Sequence, residues 1–397
     1  RNNNEIDDDK IRNLQDLNRK ILNPAARENQ FLGEMRQLSY ITSLVEFSST
    51  LSQLYDLALV MYRDGLINTV RGVAAGRDFE LESFGYASNR ISDEFVDETK
   101  YLRRMVQKGL KSTGFTDLDR IMKQTNMGSA FVAGRGKARQ YIKGKRNRAI
   151  NKFRVQVEAS VGRDNADAAI AALAKGDRNN ALVRSYVFAQ LLRTQPMSKL
   201  QTAQLSAMSP NARFLYQMKS FMVTQLAFAR EDILNDMFGE GRTVRQRSEA
   251  SLDLVRLLGF LIMVGVPIDL LKDFLVGRLA YLGDYLVNGG FRLLGVNKYN
   301  LYKAREEGVA NAVFNYAMPI TIQQTLDLFE TINQVAFEGK PVSESKLITF
   351  LPYSEVINRS FGFGIRARQK KERKEYIRRA KEGERPFVIP PGALREL

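Results

Sequence analysis

Apolar residues recur three or four positions apart along almost the whole chain, and only ten prolines interrupt its 397 residues. This spacing places apolar side chains on one face of an α-helix, whereas a half-buried strand would alternate with a period of two. The sequence therefore predicts an all-α fold, an elongated multi-helix bundle with helical hairpins. Within the run from residue 31 to residue 73, the apolar face comprises Leu44, Phe47, Leu51, Leu54, Ala58 and Met61.

Glycines and one alanine-rich stretch predict where several of these helices lie. The run that starts at Phe31 is expected to form one or two helices and to end at Gly65 or Gly72, because glycine commonly follows the last helical residue. Alanine is the strongest helix former, so Asp164–Ala174 is also expected to be helical.

The clearest helix signal follows Ser209-Pro210, since serine caps free N–H groups and proline fits the first helical position. The helix is expected to stop at Gly239–Gly241. Its apolar residues recur with a heptad-like spacing. An ordinary core helix of a bundle explains this spacing, and a seam shared between the subunits of a homo-oligomer is the alternative. The seam residues are Phe214, Met218, Phe221 and Phe228.

Two short segments carry the entire net charge of +16. Arg135–Arg154 has nine basic residues and no acid, and Arg366–Lys381 has nine basic residues with Glu372 and Glu375. A positive charge concentrated in this way favours a polyanionic partner, either a nucleic acid or an anionic membrane surface. A solvated helix face that aids solubility is the plainer explanation of each segment.

If the segments bind phosphate groups, their lysines and arginines are the ligands, and binding should be independent of sequence and sensitive to salt. Glycines predict that the first segment starts as a loop and becomes helical near Ala149, whereas the second is expected to be an exposed helix with Glu375 and Arg379 paired. The glycines are Gly134, Gly136 and Gly144. The candidate ligands are Arg135, Lys137, Arg139, Lys143, Lys145, Arg146, Arg148, Lys152 and Arg154, followed by Arg366, Arg368, Lys370, Lys371, Arg373, Lys374, Arg378 and Arg379.

The chain contains no histidine and no cysteine. It therefore lacks the commonest general base, the commonest metal ligand, a thiolate nucleophile and any disulfide. It also has no P-loop, nucleophile elbow or spaced carboxylate pair. We expect no enzymatic activity, no cofactor and no bound metal.

Two apolar stretches are candidates for membrane contact. Leu254–Lys272 contains an uncharged run, Leu257–Ile268, of only twelve residues, which is short of the roughly 20 that a spanning helix needs. Gly308–Leu326 is uncharged but rich in amides. Buried core helices are the expected structure of both, with membrane insertion after a conformational change as the alternative. Glycines between them predict a break and a helical hairpin. These are Gly289, Gly290 and Gly295.

Composition shifts suggest five regions. They are a polar N-terminal linker or helix (1–30), a helical domain with the first basic segment (31–160), a central helical domain (161–245), an apolar hairpin region (246–345), and a basic C-terminal helix with an extended tail (346–397).

Part of the chain resembles the internal virion proteins of short-tailed bacteriophages, which are ejected ahead of the genome. The resemblance centres on Gln195–Asp232, where Tyr216-Gln217-Met218-Lys219-Ser220-Phe221 is similar to a Met-x-x-Phe-Lys-Ser-Phe type motif of that family. The apolar run Leu257–Pro267 and the earlier run Leu51–Gly65 are similar to flanking helical blocks. The lytic transglycosylase module of the family has no counterpart here.

The resemblance implies a structural protein stored in the capsid near the portal. After ejection it would help to form a ring or tube across the host periplasm and inner membrane. The implied partners are further copies of the chain, other ejection proteins, the portal, double-stranded DNA bound without sequence preference, and the inner membrane.

Two other functions remain open on the sequence. The chain, which starts at Arg1 without an initiator methionine, is expected to be part of a longer polypeptide. It could then be the helical C-terminal part of a giant virion-carried enzyme such as a virion RNA polymerase. The other alternative is a cellular nucleic-acid-binding helical protein. That function favours aromatic residues among the basic ones, and Tyr141, Phe153 and Tyr376 are available.

Overall fold

A computed structural model describes residues 50–51, 53–84, 108–195, 225–239, 241–276, 281–291 and 376–383. Helices account for 84% of this part of the chain, and no strand occurs in it, which confirms the all-α class. The helices are α1 (Asp56–Asp64), α2 (Leu66–Gly76), α3 (Phe115–Ile142), α4 (Arg148–Val161), α5 (Ala166–Lys175), α6 (Ala181–Thr194), α7 (225–238), α8 (Val244–Val276), α9 (Leu282–Phe291) and α10 (376–381).

Several helix ends lie where the sequence predicted them. Helix α1 ends at Gly65, whose positive φ of 87° favours glycine, and α7 ends at Gly239. The helix expected over Asp164–Ala174 is α5. Asparagine side chains cap two other helices: Asn147 accepts a hydrogen bond from the Ile150 amide at 2.9 Å at the start of α4, and Asn180 does the same for α6.

The loop predicted at Gly134 and Gly136 is wrong, because α3 continues through both glycines to Ile142. Gly134 lies inside the helix, where it allows close packing and does not form a turn. A Cβ atom there would lie 2.9 Å from the Tyr186 ring of α6, which is closer than van der Waals contact permits. Gly72 likewise lies inside α2 and does not end a helix.

Helices α3 to α6 enclose the larger hydrophobic core. The largest of its fully buried side chains include Phe131 on α3 and Phe153 on α4, and Phe153 makes an edge-to-face contact with Tyr186. The core also contains Ala169 and Leu173 of α5. It therefore crosses the boundary that composition suggested between residues 160 and 161.

Helices α2 and α3 cross with almost no side chain between them. A Cβ atom on Gly128 of α3 would lie 2.2 Å from the Gly72 carbonyl oxygen, and one on Gly76 would lie 2.1 Å from the Gln124 carbonyl oxygen. Because only glycine allows two backbones to approach this closely, the crossing depends on these positions. The opposite face of α2 is apolar and exposed, with Ile67 and Val70 its most exposed members.

A buried polar cluster ties α1 to α3 and α6. The side chains of Arg63 and Asp64 form an ion pair at 2.5 Å, with exposed fractions of 3% and 4%. Arg63 also donates to the Gln190 carbonyl at 2.7 Å, and Asp64 accepts from the Ser129 hydroxyl at 2.8 Å. Since an unpaired charge would be costly in this interior, the cluster fixes how the three helices meet.

A second core joins α1, α7 and α8. Phe228 of α7 is buried there and makes an edge-to-face contact with Tyr62 of α1, with ring centroids 5.9 Å apart. It packs beside Leu257 and Leu261 of α8. Phe228 thus occupies a core within one chain, whereas the other three seam residues, Phe214, Met218 and Phe221, lie outside the described residues.

One turn of α7, Arg230–Leu234, is a π turn, which contains one residue more than an α-helical turn. Asp232, inside this turn, is buried. It accepts a hydrogen bond from Arg193 of α6 and forms an ion pair with Lys152 of α4.

Helices α8 and α9 form an antiparallel hairpin. A Cβ atom on Gly289 of α9 would lie 2.9 Å from the Cα atom of Ile262, so the two backbones approach closely there. The break predicted at Gly289-Gly290 is wrong, because both residues lie inside α9. The prediction for Gly295 and the stretch Gly308–Leu326 concerns residues outside the described part.

Candidate functional site: a basic tip and an exposed apolar helix

The first basic segment divides into a paired half and an unpaired half. In α4, Arg148 forms ion pairs with Asp236 at 2.8 Å, Asp253 at 3.2 Å and Glu249 at 3.5 Å. Burial alone would lower the pKa of the Arg148 guanidinium, but the hydrogen bond to Asp236 and the three nearby carboxylates raise it. This arginine is therefore held by protein carboxylates and is not an open phosphate ligand.

The other two candidates of α4 are paired as well. Lys152 lies 3.2 Å from Asp232, and Arg154 bonds with Glu158 at 2.8 Å and with Asp167. The hydrogen bonds that Arg154 donates to Glu158 and Asp167 raise the pKa of its guanidinium. Acids from within the chain thus pair with Arg148, Lys152 and Arg154 in the fold as described, and their binding to external phosphates stays a prediction.

The unpaired half lies at the turn from α3 to α4. We call Arg139, Ile142, Lys143, Lys145 and Arg146 the basic tip. All five are exposed, and none of the four cations makes an ion pair with a described residue. The exposed fraction of Ile142, at the end of α3, is 60%.

Local contacts hold the backbone of the basic tip in place. Arg146 stacks on the ring of Tyr141 at 4.1 Å and donates to the Tyr141 carbonyl at 2.9 Å, while Arg139 donates to the Ala174 carbonyl at 3.0 Å. Gly144, with φ of 79°, makes the sharp turn possible. Lys143 and Lys145 project from this turn as exposed side chains.

The first two candidates of the segment, Arg135 and Lys137, are half-buried on α3. The guanidinium of Arg135 lies against Gly176, and burial lowers the pKa of Lys137. Both are less available to an external phosphate than the cations of the basic tip.

In the second basic segment, the structure describes only the last two candidates. Arg378 pairs with Glu382 at 2.7 Å. Arg379 is 5% exposed, forms an ion pair with Asp284 at 2.8 Å and stacks on Tyr281 at 4.1 Å. Arg379 is therefore buried and anchors α10 to α9, contrary to the exposed helix that we expected, and its binding to a phosphate stays a prediction. The remaining candidates lie outside the described residues, namely Arg366, Arg368, Lys370, Lys371, Arg373 and Lys374.

An open cleft of about 960 Å³ separates α4 and α6 from α7 and the start of α8. Ion pairs line it: Arg193 with Asp232 at 2.8 Å, Arg242 with Asp236 at 3.1 Å, and the Arg148 cluster at its edge. The Arg193–Asp232 pair and the pairs of Arg148 join the two sides of the cleft, whereas Arg242 and Asp236 lie on the same side. No group of acidic residues suited to a metal ion occurs in the described part of the chain.

Helix α8 is apolar on two opposite faces. One face packs into the protein through Leu257, Leu261 and Ile268. The other, which we call the α8 stripe, is exposed, with exposed fractions of 44% to 67%. The stripe comprises Leu252, Val255 and Met263, opposite the packed face, and Leu271, which lies about 60° around the helix axis from Ile268.

The stretch Val244–Asp273 is long and apolar enough to cross a membrane, with a mean hydropathy of 2.1 in its most apolar window. Only 28% of that window is buried, whereas a core helix of a soluble protein is mostly buried. The expectation of a buried core helix at Leu254–Lys272 therefore holds for one face of α8 alone.

Carboxylates at the C-terminal end of α8 have partners within the chain. Asp269 accepts from the Tyr55 hydroxyl and from the Asn288 amide at 3.2 Å, and Asp273 accepts from the Tyr285 hydroxyl at 2.7 Å. These acids point into the hairpin and leave the α8 stripe uncharged at this end.

Sequence reasoning identified the basic segment but missed its acidic partners. Asp236 and Asp253 lie 88 or more positions from Arg148 and have no distinctive local pattern, so only the fold brings them together. Comparisons with protein-family models, with curated proteins and with solved structures yield no match to this chain.

Proposed function

We propose that this chain is a structural, non-enzymatic component of a DNA-ejection apparatus, an internal virion protein that helps to carry a genome across a bacterial envelope. The observation that carries the proposal is α8, a helix with an apolar face that the described part of the fold leaves largely uncovered. The resemblance around Gln195–Asp232 supplies the biological setting.

The dimensions of α8 suit a lipid surface. Its 33 residues give a length of about 50 Å at 1.5 Å per residue. The α8 stripe, from Leu252 to Leu271, covers about 29 Å of it, comparable with the thickness of a bilayer's hydrocarbon core. A helix with one face packed on protein and the other bare can lie in the plane of the membrane interface.

The charges of α8 also favour interfacial contact over immediate spanning. Asp269 and Asp273 would be costly at the centre of a bilayer, and the fold keeps them within the hairpin. Arg256, near the start of the α8 stripe, is exposed and long enough to reach headgroup phosphates while its stem stays in the apolar layer.

The proposal extends to partners and location. In the virion, the chain would assemble with further copies and other ejection proteins near the portal, and its net positive charge would offset DNA phosphate charge without reading sequence. After ejection it would act in the periplasm and at the inner membrane. The absence of cysteine suits this route, since no disulfide can form in an oxidising compartment.

Sedimentation of the full chain with liposomes tests the proposal. Neutral and anionic vesicles are used in parallel, each at low and high salt, because salt screens surface charge but not apolar insertion. We expect binding that persists at high salt. Absence of any high-salt binding would overturn the proposal.

A matched pair of variants assigns the binding to α8. The α8 variant carries Leu252→Gln, Val255→Gln and Met263→Gln. The control variant carries Ile67→Gln, Val70→Gln and Val73→Gln on α2, whose exposed fractions are 67%, 63% and 47%. We expect the α8 variant to lose high-salt binding and the control to keep it. The reverse result would place the lipid contact on α2.

A further inference from the structure

We propose that the basic tip is a docking site for the phosphate headgroups of an anionic bilayer, with the Ile142 side chain entering the apolar layer. This inference rests on the proposed membrane contact and names the lipid class that the protein meets through a second surface, distinct from the α8 stripe.

The cations of this short segment fall into a neutralised set and an unpaired set. Arg148, Lys152 and Arg154 are neutralised by carboxylates of the chain, whereas the four cations of the basic tip have no ion pair among the described residues. Acidic side chains thus pair with the cations of α4 but, among the described residues, not with those of the turn. The net charge of the segment is therefore concentrated at the exposed turn between α3 and α4.

An exposed isoleucine lies among these cations. The Ile142 side chain is 60% exposed at the end of α3, directly before Lys143. A DNA phosphate backbone gives an aliphatic side chain no partner, whereas a bilayer interface accepts it beside lysine and arginine. The composition of the basic tip thus favours lipid over a nucleic acid as the source of the phosphates.

The turn that carries these cations is rigid and lies close to the α8 stripe. Arg146 stacks on Tyr141, so the turn is braced before it meets a surface. Arg148, two positions further on, bonds with Glu249 and Asp253, which flank Leu252 of the α8 stripe. The basic tip therefore lies near the N-terminal end of the α8 stripe.

Three variants of the full chain test the inference. The charge variant carries Lys143→Gln, Lys145→Gln and Arg146→Gln, and the apolar variant carries Ile142→Ser. The control variant removes three exposed cations elsewhere, on or next to other helices. Its changes are Lys111→Gln, Arg163→Gln and Lys175→Gln. Circular dichroism checks that all three fold, which we expect because every altered side chain is exposed.

Binding is measured at low salt to vesicles of phosphatidylglycerol with phosphatidylcholine, to phosphatidylcholine alone, and to a duplex DNA fragment. We expect the charge variant to bind anionic vesicles at least about tenfold more weakly, since each cation near such a surface contributes several-fold. The apolar variant should lose several-fold on vesicles and nothing on DNA, and the control should change little.

Two outcomes would overturn the inference. If the charge variant loses DNA binding while Ile142→Ser leaves vesicle binding intact, the basic tip is a nucleic-acid contact. If the control weakens vesicle binding as much as the charge variant, only net charge matters. A separate measurement tests the proposed function: if the unaltered chain does not bind vesicles at high salt, the proposed function fails, whatever the variants of the basic tip show.

Discussion

Replacing Gly128 with alanine should destabilise the protein by an amount that the α2–α3 crossing predicts. The added Cβ atom would lie 2.2 Å from the Gly72 carbonyl oxygen and 2.4 Å from the Gly76 amide nitrogen. Both are backbone atoms, so no side chain can rotate away and the helices must separate by about 1 Å. Overpacking of this kind costs about 3 kcal/mol. Alanine's higher helix propensity offsets up to about 1 kcal/mol of this cost, so the net loss in the free energy of unfolding is about 2 kcal/mol.

Gly136, two turns further along the same helix, provides the control. A Cβ atom there meets no atom within 4 Å, so Gly136→Ala should stabilise the protein by about 0.5–1 kcal/mol through helix propensity alone. The two substitutions are chemically identical and should have opposite signs.

Urea unfolding followed by far-UV circular dichroism measures both effects. Gly76→Ala, whose Cβ atom would lie 2.1 Å from the Gln124 carbonyl oxygen, should behave like Gly128→Ala. Equal unfolding midpoints for Gly128→Ala and Gly136→Ala would refute the reasoning, because they would mean that the two backbones are not in contact at this crossing.

Three further substitutions test the cores and the charges. Phe228→Ala should cost about 3–5 kcal/mol of stability without changing the sedimentation coefficient of the folded protein. If the substitution instead dissociates an oligomer, the result would support the alternative that Phe228 lies in a helix seam between subunits. Arg148→Glu should lower the free energy of unfolding by about 2 kcal/mol, a value between those for exposed and buried ion pairs. Because salt screens charges, this loss of stability should be smaller in high salt, and a loss that does not depend on salt would contradict the electrostatic explanation. Burial raises the pKa of the Tyr186 phenol, so the folded state keeps its proton while the unfolded state loses it, and stability should fall as the pH rises above about 10. Tyr186→Phe should make that alkaline loss smaller in pH-dependent unfolding, and an unchanged pH profile would exclude this phenol as its source.

Glycine illustrates what the sequence can and cannot predict about this fold. Gly65 and Gly239 end amphipathic runs: Gly65 is one of the two ends that the sequence offered for its helix, and the end at Gly239 was predicted correctly. Gly134 looks the same in the sequence, but its role is to admit the ring of Tyr186, which lies 52 positions away. A local pattern carries no information about a partner at that separation, so the loop predicted there was wrong.

The candidate site shows the same division between local and distant information. The basic segment Arg135–Arg154 is visible in the sequence because its charges are consecutive. The acids that neutralise Arg148 come from α7 and α8, so the separation into paired and unpaired cations required the fold. The two faces of α8 also look alike in the sequence, because both are apolar.

The π turn of α7 allows that helix to change length without changing its charge pattern. The turn contains one residue more than an α-helical turn, so deleting one residue from Arg230–Leu234 would restore α-helical geometry and leave the following side chains at nearly the same angle around the helix axis. Asp236 would then still face Arg148. Deleting Asn235, after the turn, would instead rotate Asp236 by about 100° away from Arg148, and the cleft would lose ion pairs although no charged residue had changed.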